Sequence, residues 1–176
     1  MRAIGVTADT ADMSEVNRDA VDAIIDQWAV VRPDLETAPM ALFGRIFRID
    51  RAMGDAMERA YARYGLTRGE FDVVGTLRRS GEPYTLSPRQ LAATLMLTSG
   101  GMTGRLDKLE KAGLLCRKPD PHDRRGLQVT ITDRGLALVD EAVAAGLEVQ
   151  RAALSGLDEQ ETALLTGLLR KLLAGI

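Results

Sequence analysis

The chain has 176 residues, 45% of them hydrophobic but only 4% aromatic, and a net charge of −2. That is enough apolar material for one ordinary domain whose core is packed by aliphatic side chains. It excludes a membrane span, since no run approaches ~18 apolar residues, and one cysteine excludes an internal disulfide. The N-terminus carries acids and no apolar stretch of signal-peptide type, so a cytoplasmic chain is expected.

In chain order, residues 1–13 are small and polar and are expected to be disordered. A first helix is expected from Ser14 to Val31, with Val21, Ile24, Ile25, Trp28 and Val31 on one face. Pro33 and Pro39 mark its end and the next start. A long helix then runs to about Tyr64, where Gly65 terminates it. Thr67-Arg-Gly-Glu70 is a capping box that opens a helix ending near Gly81. Residues 82–86 read as a short extended link. Ser87-Pro88-Arg89-Gln90 combines a capping serine, proline at the first helical position and a reciprocal glutamine. That helix ends near Leu97, and Thr98-Ser99-Gly100-Gly101 opens another that runs to Lys111 before the Ala112-Gly113 stop. Leu114–Lys118 and Leu127–Thr132 read as two strands, with Val129 and Ile131 alternating with polar neighbours. The polar, turn-forming segment 119–126 between them makes a β-hairpin with a basic tip. Helix returns from Asp133 to about Ala153, and Asp158-Glu-Gln-Glu161 caps a last helix rich in leucine. The fold class expected is mainly α with a small β-hairpin.

Charge is unevenly spread. Residues 98–134 hold eight Lys/Arg against five acids, so this segment is +3 and the remainder −5. From charge alone this is either a polarised, nucleic-acid-facing surface or chance clustering on a solvated one. The order of elements adds weight to the first. Two short capped helices followed by a hairpin form a helix-turn-helix with a wing. The second helix begins with small and hydroxyl-bearing residues, which suits the major groove, and its amides and dipole favour phosphate oxygens. Leu106 and Leu109 are expected to face back into the core. At the hairpin tip, Arg124 and Arg125 have the chemistry for a narrow minor groove, and Asp123 beside them is expected to pair with an arginine.

The stretch Leu97-Thr-Ser-Gly-Gly-Met-Thr-Gly-Arg-Leu-Asp-Lys-Leu-Glu110, then Gly113-Leu114, Asp120-Pro-His-Asp-Arg-Arg-Gly126, Ile131-Thr132 and Gly135, closely resembles the MarR family of bacterial regulators. The resemblance runs from about Pro39 to the C-terminus. It implies a winged helix-turn-helix at 67–132, N-terminal helices at 14–66 that include an extra helix, and C-terminal dimerisation helices at 133–176. It also implies DNA contacts from Ser99, Gly101, Thr103, Arg105 and Lys108 on the recognition helix and from Asp123, Arg124 and Arg125 on the wing. Gly104 departs from the Asn of many relatives, which removes a contact or alters sequence preference. Trp28, Asp72 and Arg105 further resemble the urate-responsive branch, where such residues surround a purine pocket. That branch has Asn where this chain has Ser80. The plainer alternative makes Trp28 a core anchor and Asp72–Arg105 a structural ion pair.

The expectation is therefore a homodimeric repressor. It would bind a pseudo-palindromic operator in double-stranded DNA and be released by a small aromatic effector, either a purine such as urate or a phenolic compound. A winged-helix protein-docking module without DNA binding is the alternative. No carboxylate pairing or phosphate loop suggests an enzyme, and no cofactor or metal is expected: Cys116 reads as a packing residue, and His122 has no cysteine partner nearby. Met53 and Met57 read as core residues.

Overall fold

The computed structural model describes residues 18–95, 99–121, 123 and 126–176. They form helices α1 (Ala20–Val31), α2 (Ala38–Ala62), α3 (Arg68–Arg79), α4 (Pro88–Leu95), α5 (Ser99–Lys111), α6 (Asp133–Ala153) and α7 (Glu159–Leu173). The strands are β1 (Thr85–Leu86), β2 (Leu115–Pro119) and β3 (Leu127–Ile131). Two compact units divide the chain, Met1–Arg51 and Ala52–Ile176.

In the first unit, α1 begins at Ala20; the expected start at Ser14 and the expected disorder of residues 1–13 lie outside the described residues. Asp19 is its N-cap, and Asp19 and Asp22 form a capping box. Arg45 on α2 bonds both carboxylates, at 2.9 Å and 2.8 Å. Val21 is buried, and its methyls lie 3.1 Å from where a Cβ on Gly44 would stand.

The second unit holds the winged helix. α2 stops where Leu66 N–H bonds the Tyr61 carbonyl, with Gly65 at φ 69°. The expected capping box of α3 is present in full, since Thr67 Oγ1 accepts from Glu70 N–H and Glu70 Oε2 accepts from Thr67 N–H. The Ser87–Gln90 and Asp158–Glu161 pairs cap α4 and α7 in the same way. Val73, Val74 and Leu77 of α3 pack with Leu91 of α4, Leu109 of α5 and Val129 of β3 in one core.

The hairpin is part of a larger sheet. The segment expected to be a link contributes β1, and the strand order is β1-β3-β2, antiparallel throughout. Thr85 pairs with Thr130, and their hydroxyls lie 2.8 Å apart. β2 is therefore an edge strand. This is why Pro119 can end it opposite Leu127, where it need not donate a ladder bond. The second strand stops one residue earlier than expected, because Thr132 is the N-cap of α6. Its Oγ1 accepts from Gly135 N–H at 3.1 Å and donates to the Gly113 carbonyl at 2.8 Å. A Cβ on Gly135 would meet the Leu114 carbonyl oxygen at 2.1 Å, so only glycine lets α6 start this close to the sheet.

Candidate nucleic-acid interface

α5 is divided lengthwise. Met102, Leu106 and Leu109 are buried, whereas Gly101, Thr103, Gly104, Asp107 and Lys108 are exposed. The spacing of its apolar residues dictates this, and the inward turn of Leu106 and Leu109 matches expectation. A Cβ on Gly104 would meet nothing within 4 Å, so this position opens outward. The helix ends in a reversal with Gly113 at φ 71°. There Leu114 N–H bonds the Leu109 carbonyl and Gly113 N–H bonds that of Glu110. The chain is thereby returned directly into β2.

The expected DNA-contacting residues fall into groups. Gly101 and Thr103 lie on the exposed side of α5's first half. Ser99 opens the helix, and its side chain lies outside the described residues. Arg105 is half-buried and leans on α3, where its Nη1 donates to the Gly69 carbonyl at 3.3 Å. A Cβ at Gly69 would stand 2.5 Å from the guanidinium carbon, so the missing side chain makes room for this contact. Lys108 is exposed, and its Nζ lies 3.6 Å from Glu70 Oε1, the same carboxylate that closes the α3 capping box. At the wing tip, the Asp123 carbonyl accepts from Gly126 N–H at 2.8 Å, and the Gly126 carbonyl accepts from Asp120 N–H at 3.0 Å. Arg124, Arg125 and His122 lie outside the described residues.

The residues expected to hold an effector are placed as follows. Asp72 is half-buried on α3. Burial raises its carboxyl above the ordinary range, and the charges of Arg68, Arg105 and Arg79 oppose that shift. It makes no ion pair with Arg105, whose guanidinium acts on it only through space. The tyrosine hydroxyl of buried Tyr61 is pushed up by burial and by Asp72, and its ring stacks on Phe71 at 3.9 Å. Trp28 lies on α1, in the other unit, and is 38% exposed. Ser80 is the C-cap of α3, and its hydroxyl donates to the Leu77 carbonyl at 2.7 Å. Met57 packs against the core and Cys116 is half-buried on β2.

Two arginines matter more than their sequence context suggests. Arg78 joins α3 to α6 through Asp140, at 2.9 Å and 3.3 Å, and lies 5.4 Å over the Tyr84 ring. No local signal could reveal a pair 62 residues apart. Arg117 of β2 bonds Glu110 and Asp107 of α5. Here a signal existed, because two acids three residues apart on one helix need a cation nearby.

The sequence model of the MarR family matches residues 64–126. The HTH-type transcriptional regulator PecS of Dickeya dadantii (strain 3937) is 40% identical over 149 residues, covering 85% of this chain and 90% of PecS. The multiple antibiotic resistance protein MarR of Salmonella typhimurium is 26% identical, covering 73% of this chain and 88% of that protein. Among solved structures, a MarR mutant from E. coli complexed with operator DNA superimposes with a TM-score of 0.67 at 24% identity. That match covers 83% of this chain and 97% of the other.

Proposed function

This chain belongs to the MarR family, and from that premise we propose that it is a homodimeric repressor that reads a pseudo-palindromic operator with α5 and its wing. One observation carries this. α5 is anchored by Met102, Leu106 and Leu109, so its small, hydroxyl-bearing and cationic side is left facing outward beside the hairpin. A helix of that kind fits the major groove, and a hairpin beside it reaches the neighbouring backbone. Ser99, Gly101, Thr103 and Lys108 supply contacts on the helix, and Asp123, Arg124 and Arg125 on the wing. Arg105 joins them once it leaves the Gly69 carbonyl. Self-association is supported by the apolar side chains left uncovered on one chain, among them Phe47, Ile49, Leu164, Leu168 and Leu173.

The effector is a small aromatic anion. Asp72 is held against its preference for water beside three guanidinium groups. A ligand carboxylate or urate-like edge would take those cations, including Arg105, and so bias α5 away from the operator geometry.

Fluorescence anisotropy on a duplex selected by the protein from a randomised pool tests both parts. Affinity is expected to fall steeply with salt, and Lys108→Ala is expected to reduce the log–log salt slope by about one. A slope near zero would overturn DNA binding through these cations. Urate, xanthine and salicylate are then titrated into the complex. Release by a purine supports the urate-like reading, release by salicylate alone favours a phenolic effector, and release by none overturns the effector.

A further inference from the structure

We propose that Arg117 is a positioning residue for operator recognition: it clamps the wing to the recognition helix and sets the angle at which both meet one duplex. This rests on the DNA-binding reading above. Glu110 Oε1 accepts the outward backbone N–H of Arg117 at 2.9 Å, an edge-strand group that β3 does not take. Glu110 Oε2 accepts from Nε at 2.9 Å and from Nη2 at 2.5 Å. The remaining arm, Nη1, lies 2.7 Å from Asp107 Oδ1, one helical turn earlier on α5. The planar fork thus holds two successive turns of the helix, while Glu110 also ties down the backbone of the strand. The side chain is only 24% exposed.

Several features distinguish this from a routine surface pair. The connection between α5 and β2 is three residues long, and Leu115, Val129 and Ile131 seat the base of the sheet in the core, but the outer residues of β2 are exposed and have no such anchor to set the twist of the wing. The guanidinium controls that remaining freedom, because its donors are rigid and coplanar. Asp107 and Glu110 also lie on the helix that approaches phosphates, where bare carboxylates would repel the duplex. Arg117 keeps both turned toward the wing. Its role is indirect: through those acids it orients the groups that touch DNA.

The test separates geometry from charge. Arg117→Lys keeps the cation but loses the fork. With the full-length protein, affinity is measured by anisotropy for the selected duplex and for a scrambled duplex of equal length, across a salt series. The expected result is a loss of about tenfold or more for the selected duplex, with little change for the scrambled one and an unchanged salt slope. Circular dichroism and thermal melting establish that the variant is folded. Glu110→Gln, which retains the acceptor for the backbone N–H but removes the charge partner, is expected to fall between the unsubstituted protein and Arg117→Lys. Equal loss on both duplexes would mean that the fork supports general phosphate binding rather than the docking angle, and would overturn the clamp. So would unchanged binding of the selected duplex by either folded variant. Should the unsubstituted protein select no duplex at all, the DNA-binding reading fails and takes the clamp with it.

Discussion

Two helices of this molecule carry leucines at helical spacing and meet opposite fates. On α5, Leu106 and Leu109 are almost completely buried, and the helix is finished on its inner side by its own chain. On α7 no residue is buried, and Leu168 is 56% exposed, with Leu164 and Leu173 exposed still further. The side chains are alike, so the difference lies in what each helix is offered. The winged helix closes its core within one chain, with α3, α4, α5 and the sheet contributing to one cluster. The terminal helix has no such surface among the described residues. Each leucine left in water forgoes roughly 1.5–3 kcal/mol, so a row of them makes a second copy of the chain the natural cover. One part of the protein completes its own core, and the other leaves an apolar face bare.

This contrast can be broken by substitution. The largest effect is expected from Leu77→Ala, deep in the winged-helix core. It should cost about 2–5 kcal/mol in urea unfolding, since the surrounding side chains can collapse only partly into the cavity. A loss below ~1 kcal/mol would mean the core is not the single jigsaw described. Next comes Leu168→Ala on α7. It should leave the fold of each chain intact yet weaken self-association by up to roughly 1.5–3 kcal/mol for each copy of the side chain covered. Sedimentation equilibrium at several concentrations would detect this, and an unaltered association constant would remove α7 from the interface.

The smallest effect is expected from Asp72→Asn, which sharpens the comparison within the winged helix itself. Because the folded-state carboxyl titrates above its ordinary value of 3.8, ionisation disfavours the native state. The penalty is absent below that ordinary value, where both states are protonated. It grows as pH rises and is complete above the raised folded-state value. The asparagine variant should therefore melt slightly higher at neutral pH and match the unsubstituted protein at about pH 3. An equal difference at both pH values would show that burial of a charge is not its cause.

What could be read from the sequence was whatever depends on near neighbours. The capping pairs Thr67–Glu70, Ser87–Gln90 and Asp158–Glu161 are three residues apart, and each closes as its spacing predicts. The inward turn of Leu106 and Leu109 follows from helical period alone. Asp19 and Asp22 have the same capping spacing, and they open α1 at Ala20, whereas the expected start at Ser14 lies outside the described residues. β1 could not be found in this way. Two residues make no periodic pattern, and Thr85-Leu86 becomes a strand only because Thr130 and Val129, far along the chain, pair with it. At the site, composition marked α5 and the hairpin, but not how their charges are spent. Arg105 turns toward the Gly69 carbonyl, and Arg117 serves two acids that precede it. Such choices depend on the packing angle between elements, which no local spacing encodes.

Thr132 carries one more consequence. Its hydroxyl is shared between the turn before β2 and the first turn of α6, with no residue to spare between sheet and helix. A winged helix joined this way has little freedom to turn on α6. In the two-fold pair proposed above, the gap between the two winged helices would then be set by the stiffness of α6, and the DNA would have to supply any adjustment. Inserting one base pair between half-sites turns one of them by roughly 35° about the duplex axis. A joint without play has no means of following that turn, so the spacer of the operator should tolerate almost no change in length.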